Sequence, residues 1–174
     1  ITTVTNSPIM LDADTGFGET MNGVRTIQEM EHAGLSGCHL EDQILPKRCG
    51  HLDNKELVTT EKMAQKISAA VLARKDPNFT IIARTDGRTK EGLQASINRA
   101  LAYQDAGADV IFPEALQNER EFESFRKAID IPLLANMTEF GKSKLLDKNN
   151  LENIGYNMVI YPVTLQRLAM FAID

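Results

Sequence analysis

The chain is poor in cysteine, lacks any long apolar run and carries no basic block. Each shortage removes a class of protein. Two cysteines in 174 residues do not build a disulfide framework, which points to a reducing compartment and a cytoplasmic protein. No apolar stretch approaches the ~20 residues that cross a bilayer, so no membrane partner is expected. No lysine and arginine cluster interleaved with aromatics marks a nucleic-acid face, and the net charge is −5. The dinucleotide fingerprint GxGxxG is missing. "FGKS" (Phe140 to Ser143) is like the end of a phosphate loop, but Asn136 stands where that loop needs its first glycine. The opening "ITTVTNSP" has neither an initiator methionine nor a charged-then-apolar signal pattern, and it reads as the interior of a longer protein. The composition is that of a globular protein, 43% hydrophobic and 25% charged, in a length sufficient for one core.

Short apolar runs recur along the chain, each ending in polar or acidic residues: "IMLDAD" (Ile9 to Asp14), "CHLED" (Cys38 to Asp42), "TIIARTD" (Thr80 to Asp86), "VIFPEA" (Val110 to Ala115), "PLLANMTE" (Pro132 to Glu139) and "MVIYP" (Met158 to Pro162). Runs of this length and β-branched content predict buried strands. Between them, apolar residues at helical spacing predict helices: Val24, Ile27 and Met30; Met63, Ile67, Ala70 and Val71; Leu93, Ile97, Ala100 and Leu101. The joints "GLSGCHLE" (Gly34 to Glu41) and "GADVIFPE" (Gly107 to Glu114) share one glycine-to-glutamate spacing, and "GYNMVIYP" (Gly155 to Pro162) follows the same plan. Each is a helix-ending glycine followed by a strand. Repeated βα units imply a parallel sheet, closed as a barrel or open and doubly wound.

Polar strand ends favour the barrel, where chemistry gathers at the C-terminal ends of several strands. Asp12 and Asp14, Glu41, Arg84 and Asp86, Glu114, and Asn136 with Thr138 all occupy such ends. About six βα units are visible against the eight of a (β/α)8 barrel, so the fold is expected to be an incomplete one, in one domain over residues 1–174. Asp12 and Asp14 suit an ordinary turn, but with Glu41 they could surround one hard cation such as Mg²⁺. Arg84 suits bidentate recognition of a carboxylate or phosphate, and equally an ion pair with Asp86 or Glu114. Cys38 lies in an apolar strand and is expected in the core. His32 and His39 read as surface and strand residues, and the charges from Lys55 to Lys66 as the wet face of a helix.

"KRCGH" (Lys47 to His51) stands apart. Its cysteine sits in an unusually long, polar gap between two predicted strands, the position of an enlarged active-site loop. Lys47, Arg48 and His51 gather positive charge around the Cys49 thiol, surroundings that favour a thiolate.

These motifs together resemble the isocitrate lyase and phosphoenolpyruvate mutase superfamily. "LDADTGFG", "LEDQILPKRCGHLDNKELV", "ARTDG", "FPEA", "ANMTEFG" and "YPVTLQR" follow in that superfamily's order across nearly the whole chain. Arg48 and the continuation Asn54-Lys55 resemble its methylisocitrate-cleaving members. The resemblance implies a (β/α)8 barrel whose first two strands and C-terminal helices lie outside this chain, and a helix-swapped homotetramer. It implies Mg²⁺, with Mn²⁺ as substitute, on Asp12, Asp14 and Glu41. It implies a small tricarboxylate substrate, 2-methylisocitrate, cleaved to pyruvate and succinate by retro-Claisen chemistry in propionate catabolism. Cys49 would return a proton to the carbanion, with Lys47, His51 and Glu114 as further catalytic residues. Cys49, Gly50, Arg84, Glu114, Asn136, Met137, Thr138 and Arg167 would bind the substrate. Isocitrate cleavage, phosphonomutase chemistry and a non-catalytic dicarboxylate-binding role stand as alternatives.

Overall fold

The structure is a computed structural model and describes residues 2–173. Each of the six apolar runs forms a strand: β1 Met10–Asp12, β2 Gly37–Glu41, β3 Thr80–Thr85, β4 Val110–Pro113, β5 Leu134–Asn136 and β6 Met158–Ile160. The helices are α1 Thr20–His32, α2 Thr60–Ala73, α3 Gly87–Glu91, α4 Leu93–Asp105, α5 Glu119–Ala128, α6 Lys148–Ile154 and α7 Thr164–Ile173. The periodic apolar residues face inward as their spacing requires. Ile27, Met63 and Ile67 are completely buried, worth on the order of 2 kcal/mol each. Gly34, Gly107 and Gly155 end their helices with positive φ, the conformation that only glycine adopts at little cost.

All strand pairings between named strands are parallel, and the order follows the chain. β1 to β4 form one sheet, β5 and β6 a second, and a parallel bridge between Ile111 and Leu133 joins the two. An open doubly wound sheet would reverse its order at a switch point. A monotonic order with a helical connection at each step is the order of a TIM-barrel-like fold. β1 is half exposed, with Leu11 at 40%, and is not the buried strand its sequence predicts. Among the described residues it pairs only with β2, so one of its sides has no strand to cover it.

Two apolar clusters lie on opposite faces of these strands. Cys38, Leu40, Ile81, Ala83, Ile111 and Ala135 pack with the helices. Ile82, Val110, Phe112 and Leu134 pack together on the other face, with Met10, Met158 and Ile160. Strand alternation places Asp12, His39, Glu41, Arg84 and Asn136 on that second face, towards the C-terminal ends of their strands.

The charges from Lys55 to Lys66 form a wet helix face only in part: Glu61 and Lys62 are exposed on α2, which begins at Thr60, whereas Lys55 and Lys66 are buried. Lys66 runs its aliphatic stem through the interior and donates to the carbonyls of Thr15 at 2.5 Å and Gly18 at 3.2 Å.

Candidate active site

Asp12 ends β1, and Asp14 follows in a turn with φ 48°. The Asp14 N–H donates to Asp12 Oδ1 at 2.9 Å, and the Glu41 N–H donates to the Asp14 carbonyl at 2.8 Å. The turn reading of this motif therefore holds alongside the cluster reading. Asp12, Asp14 and Glu41 each offer an oxygen, and these lie within 4.8 Å of one another. Glu41 is fully buried and neither of its oxygens has a hydrogen-bond partner. Burial pushes its carboxyl up to about 7, against the opposing pull of Arg84 and Lys47. A buried carboxylate with unfilled lone pairs beside two further carboxylates is a donor set that fits a hard divalent cation. His39, read from sequence only as a strand residue, faces this cluster. Its Nε2 lies 3.6 Å from Asp12 Oδ1, and its ring meets Phe112 edge-on at 5.5 Å. Its spacing of two from Glu41 on one strand was the available signal.

Lys47 is placed differently from the expectation of a cation serving Cys49. Its ammonium sits 2.5 Å from Asp14 Oδ1 and 3.7 Å from Glu41 Oε2. Three converging carboxylates draw in the nearest loop cation. Arg48 is exposed, and its backbone is held by Gln43, which donates to the Arg48 carbonyl and accepts its N–H.

Arg84 forms the ion pairs that its sequence allows, with both Asp86 and Glu114. Nε and Nη2 bind the two oxygens of Asp86 at 3.0 and 3.2 Å. Nη2 also lies 3.4 Å from Glu114, and Nη1 lies 3.4 Å from Glu41. No hydrogen bond is formed by Nη1 among the described residues, so this end of the fork keeps donors for a ligand. Glu114 is the common neighbour of Arg84, His51 and Asn136. Burial alone would raise its carboxyl, but His51, Arg84 and Asn136 outweigh it and bring it down to about 2. Asn136 donates to Glu114 Oε2 at 3.2 Å, while its Oδ1 is buried without a partner.

His51 Nδ1 accepts the Lys142 N–H at 2.9 Å, so the ring carries its proton on Nε2 when neutral. Nε2 lies 3.0 Å from Glu114 Oε1, close but without the alignment of a full hydrogen bond. The leftover motif Phe140 to Ser143 thus has a use in the structure: Gly141 leaves room for His51, since a Cβ there would come within 2.8 Å of Nδ1. Gly50 is buried in the same way. A Cβ on it would strike the Glu114 side chain and come within 2.6 Å of Arg84 Nη2 and 2.7 Å of Asp86 Oδ1. The loop is closed at its base by a bridge between Gln43 and Leu57. Cys49 itself is exposed on this loop, whereas Cys38 is buried in the core as expected.

One expected substrate ligand turns away from these groups. Met137 is in the core, and its sulfur accepts the Leu146 N–H at 3.3 Å. It follows Asn136 by one residue, so strand alternation turns it away from the site. Thr138, two residues on, returns towards His51, both lying against the position a Gly141 Cβ would take. Arg167 lies on α7, binds Glu139 at 2.8 Å and stacks over Phe140.

Strand-end carboxylates, a buried arginine and a cysteine loop at one end of a run of parallel strands define a TIM-barrel-like α/β protein with a site suited to a metal and an anionic ligand. The chain belongs to the phosphoenolpyruvate phosphomutase family, which matches residues 1–174. It is 60% identical over 174 residues to the probable 2-methylisocitrate lyase 2 of Corynebacterium glutamicum, covering 100% of this chain and 57% of that protein. With the 2-methylisocitrate lyase of Halalkalibacterium halodurans it shares 51% identity over 170 residues, covering 98% and 56%. The chain therefore spans little more than half the length of these relatives. Among solved structures, a 2,3-dimethylmalate lyase of the PEP mutase/isocitrate lyase superfamily superposes with a TM-score of 0.93 at 34% identity, covering 98% of this chain and 57% of that one. A phosphonopyruvate hydrolase complexed with oxalate and Mg²⁺ gives 0.84 at 30%, covering 98% and 59%.

Proposed function

We propose that this chain carries the catalytic mouth of a metal-dependent carbon–carbon lyase that cleaves 2-methylisocitrate to pyruvate and succinate. The observation that carries the reading is the juxtaposition of the Asp12, Asp14 and Glu41 donors with Arg84, beneath a loop whose Gly50 packs on Arg84, Asp86 and Glu114. The names of the relatives agree with it. Residues 1–174 form one catalytic domain, an arc of a (β/α)8 barrel, and the active assembly is a homotetramer acting on a soluble tricarboxylate.

Asp12, Asp14 and Glu41 would hold Mg²⁺, or Mn²⁺ in its place. When bound, the cation would supply Lewis acidity at the substrate hydroxyl. Transfer of the hydroxyl proton to a base, with cleavage of the carbon–carbon bond between the two halves, forms the carbonyl of pyruvate and passes the electrons of that bond to the succinate half as an aci-carboxylate. Arg84, with an open guanidinium end, holds that half and spreads its charge, and Asn136, whose NH2 donates to Glu114, stands beside it as a further substrate contact. Thr138, whose side chain lies near His51, is a further substrate contact. Cys49 returns a proton to the carbanion, and His51, with Nδ1 filled by Lys142, holds Glu114 and the loop in register.

Product release tests the assignment: pyruvate from 2-methylisocitrate, glyoxylate from isocitrate, and pyruvate or phosphoenolpyruvate from phosphonopyruvate. One methyl group is worth about 1–3 kcal/mol in an apolar pocket, so slow isocitrate cleavage is compatible with the reading. A higher kcat/KM for isocitrate or phosphonopyruvate refutes it.

A further inference from the structure

One buried charge has no place in the chemistry above. Lys55 stands in the long loop, five residues after Gly50, and its side chain is 2% exposed. Its ammonium donates to the Gly50 carbonyl and lies 3.2 Å from Asp86 Oδ1. The Lys55 carbonyl accepts from Lys90 Nζ at 2.8 Å, so the backbone here is tied to α3 as well. Asp86 is the same carboxylate that grips Arg84 through both of its oxygens. Its own N–H donates to Asp42 Oδ1 at 2.9 Å, which ties it to the end of β2.

We propose that Lys55 is the positioning residue that sets the Cys49–His51 loop on the site. This rests on the lyase reading for its functional meaning. An ammonium has three donors on a compact head, so it can serve a carbonyl and a carboxylate together. The carbonyl belongs to the residue between the thiol and the imidazole. Holding it fixes the direction of the chain on both sides, with His51 directed to Glu114 and Cys49 directed outward. The carboxylate belongs to the partner of Arg84. Lys55 thus makes the loop and the anion-binding arginine share one anchor. A neutral side chain could bind the carbonyl but would leave Asp86, fully buried, with one fewer cation. Lys55 touches no reacting atom in this scheme.

The test is hydrogen exchange on the full chain with Lys55→Met, which keeps the stem and removes the charge. The amides of residues 48–52 should exchange about tenfold faster or more, while those of β2 and β3 keep their protection. Turnover of 2-methylisocitrate should fall on the order of 100-fold in kcat with a smaller change in KM. Lys55→Gln, which retains a donor for the Gly50 carbonyl, should fall between, and it decides the matter if Lys55→Met does not fold. Unchanged exchange in residues 48–52 overturns the proposal. So does equal loss of protection in β2 and β3, since Lys55 would then be a general structural group. The exchange experiment needs no turnover. Failure of the unmodified protein to cleave 2-methylisocitrate would sink the lyase reading and leave the loop result standing.

Discussion

At the scale of single residues, the two cysteines show how context divides one side chain into two uses. Cys38 is completely buried, and burial raises its thiol to about 12. Cys49 is exposed on a loop whose neighbouring glycine is pressed onto Arg84, Asp86 and Glu114. Iodoacetamide should therefore label Cys49 and leave Cys38 intact, as mass spectrometry of tryptic peptides will show. Cys49→Ser should keep ligand affinity and lose roughly 10²–10⁴ in kcat, the usual contribution of a positioned general acid. Near-normal turnover of that variant removes the thiol from the mechanism. The apolar run around Cys38 and the polar run around Cys49 were enough to separate the two in sequence. Lys55 was not separable from its exposed charged neighbours. Its burial depends on how the loop folds Gly50 back onto it and on Asp86, which arrives from the end of β3.

At the scale of elements, the site is a product of strand ends. β1 supplies Asp12, the turn after it supplies Asp14, and β2 supplies Glu41. None of these makes a cation site alone. Parallel register pairs Asp12 with His39, so Glu41 extends two residues beyond Asp12, and the turn carries Asp14 up to meet it. The Glu41 N–H to Asp14 carbonyl bond locks that approach. Binding should be visible without any substrate. Mg²⁺ or Mn²⁺ at about 100 times its Kd should raise Tm by roughly 5–10 °C. Asp14→Asn should abolish most of that shift in differential scanning calorimetry. A full shift in Asp14→Asn places the cation elsewhere. Recurrent apolar runs with acidic ends made these strand termini legible, because strand length and alternation are local properties. The displacement of Lys47 into the cluster was illegible, since it depends on three carboxylates meeting from separate segments.

At the scale of the whole molecule, the buried carboxylates couple stability to pH. The folded state holds Glu114 ionised down to about pH 2, through His51, Arg84 and Asn136 acting against burial. An unfolded glutamate titrates near 4.3. The stabilisation is therefore complete above that value and disappears as the pH falls towards 2, amounting to roughly 3 kcal/mol over the interval. Glu114→Gln should be the less stable protein at neutral pH, and its deficit should shrink across this window in thermal melts. A constant deficit from pH 5 to pH 2 means that Glu114 does not carry that coupling. The same long-range assembly marks the boundary between what could be read in advance and what could not. The strand and helix periods, the helix-ending glycines and the ordered motifs determined a parallel βα protein, its family and the strand ends that carry its candidate polar residues, because these are encoded in neighbouring residues. Strand alternation, a local property, already turns Met137 to the core and leaves Asn136 and Thr138 on the other face. Tertiary structure alone decided that Lys47 sits among the carboxylates, that Lys142 fills His51, and that Lys55 holds the Gly50 carbonyl. Each of these depends on which groups from separate elements arrive at one point, and desolvation there sets which charges must pair.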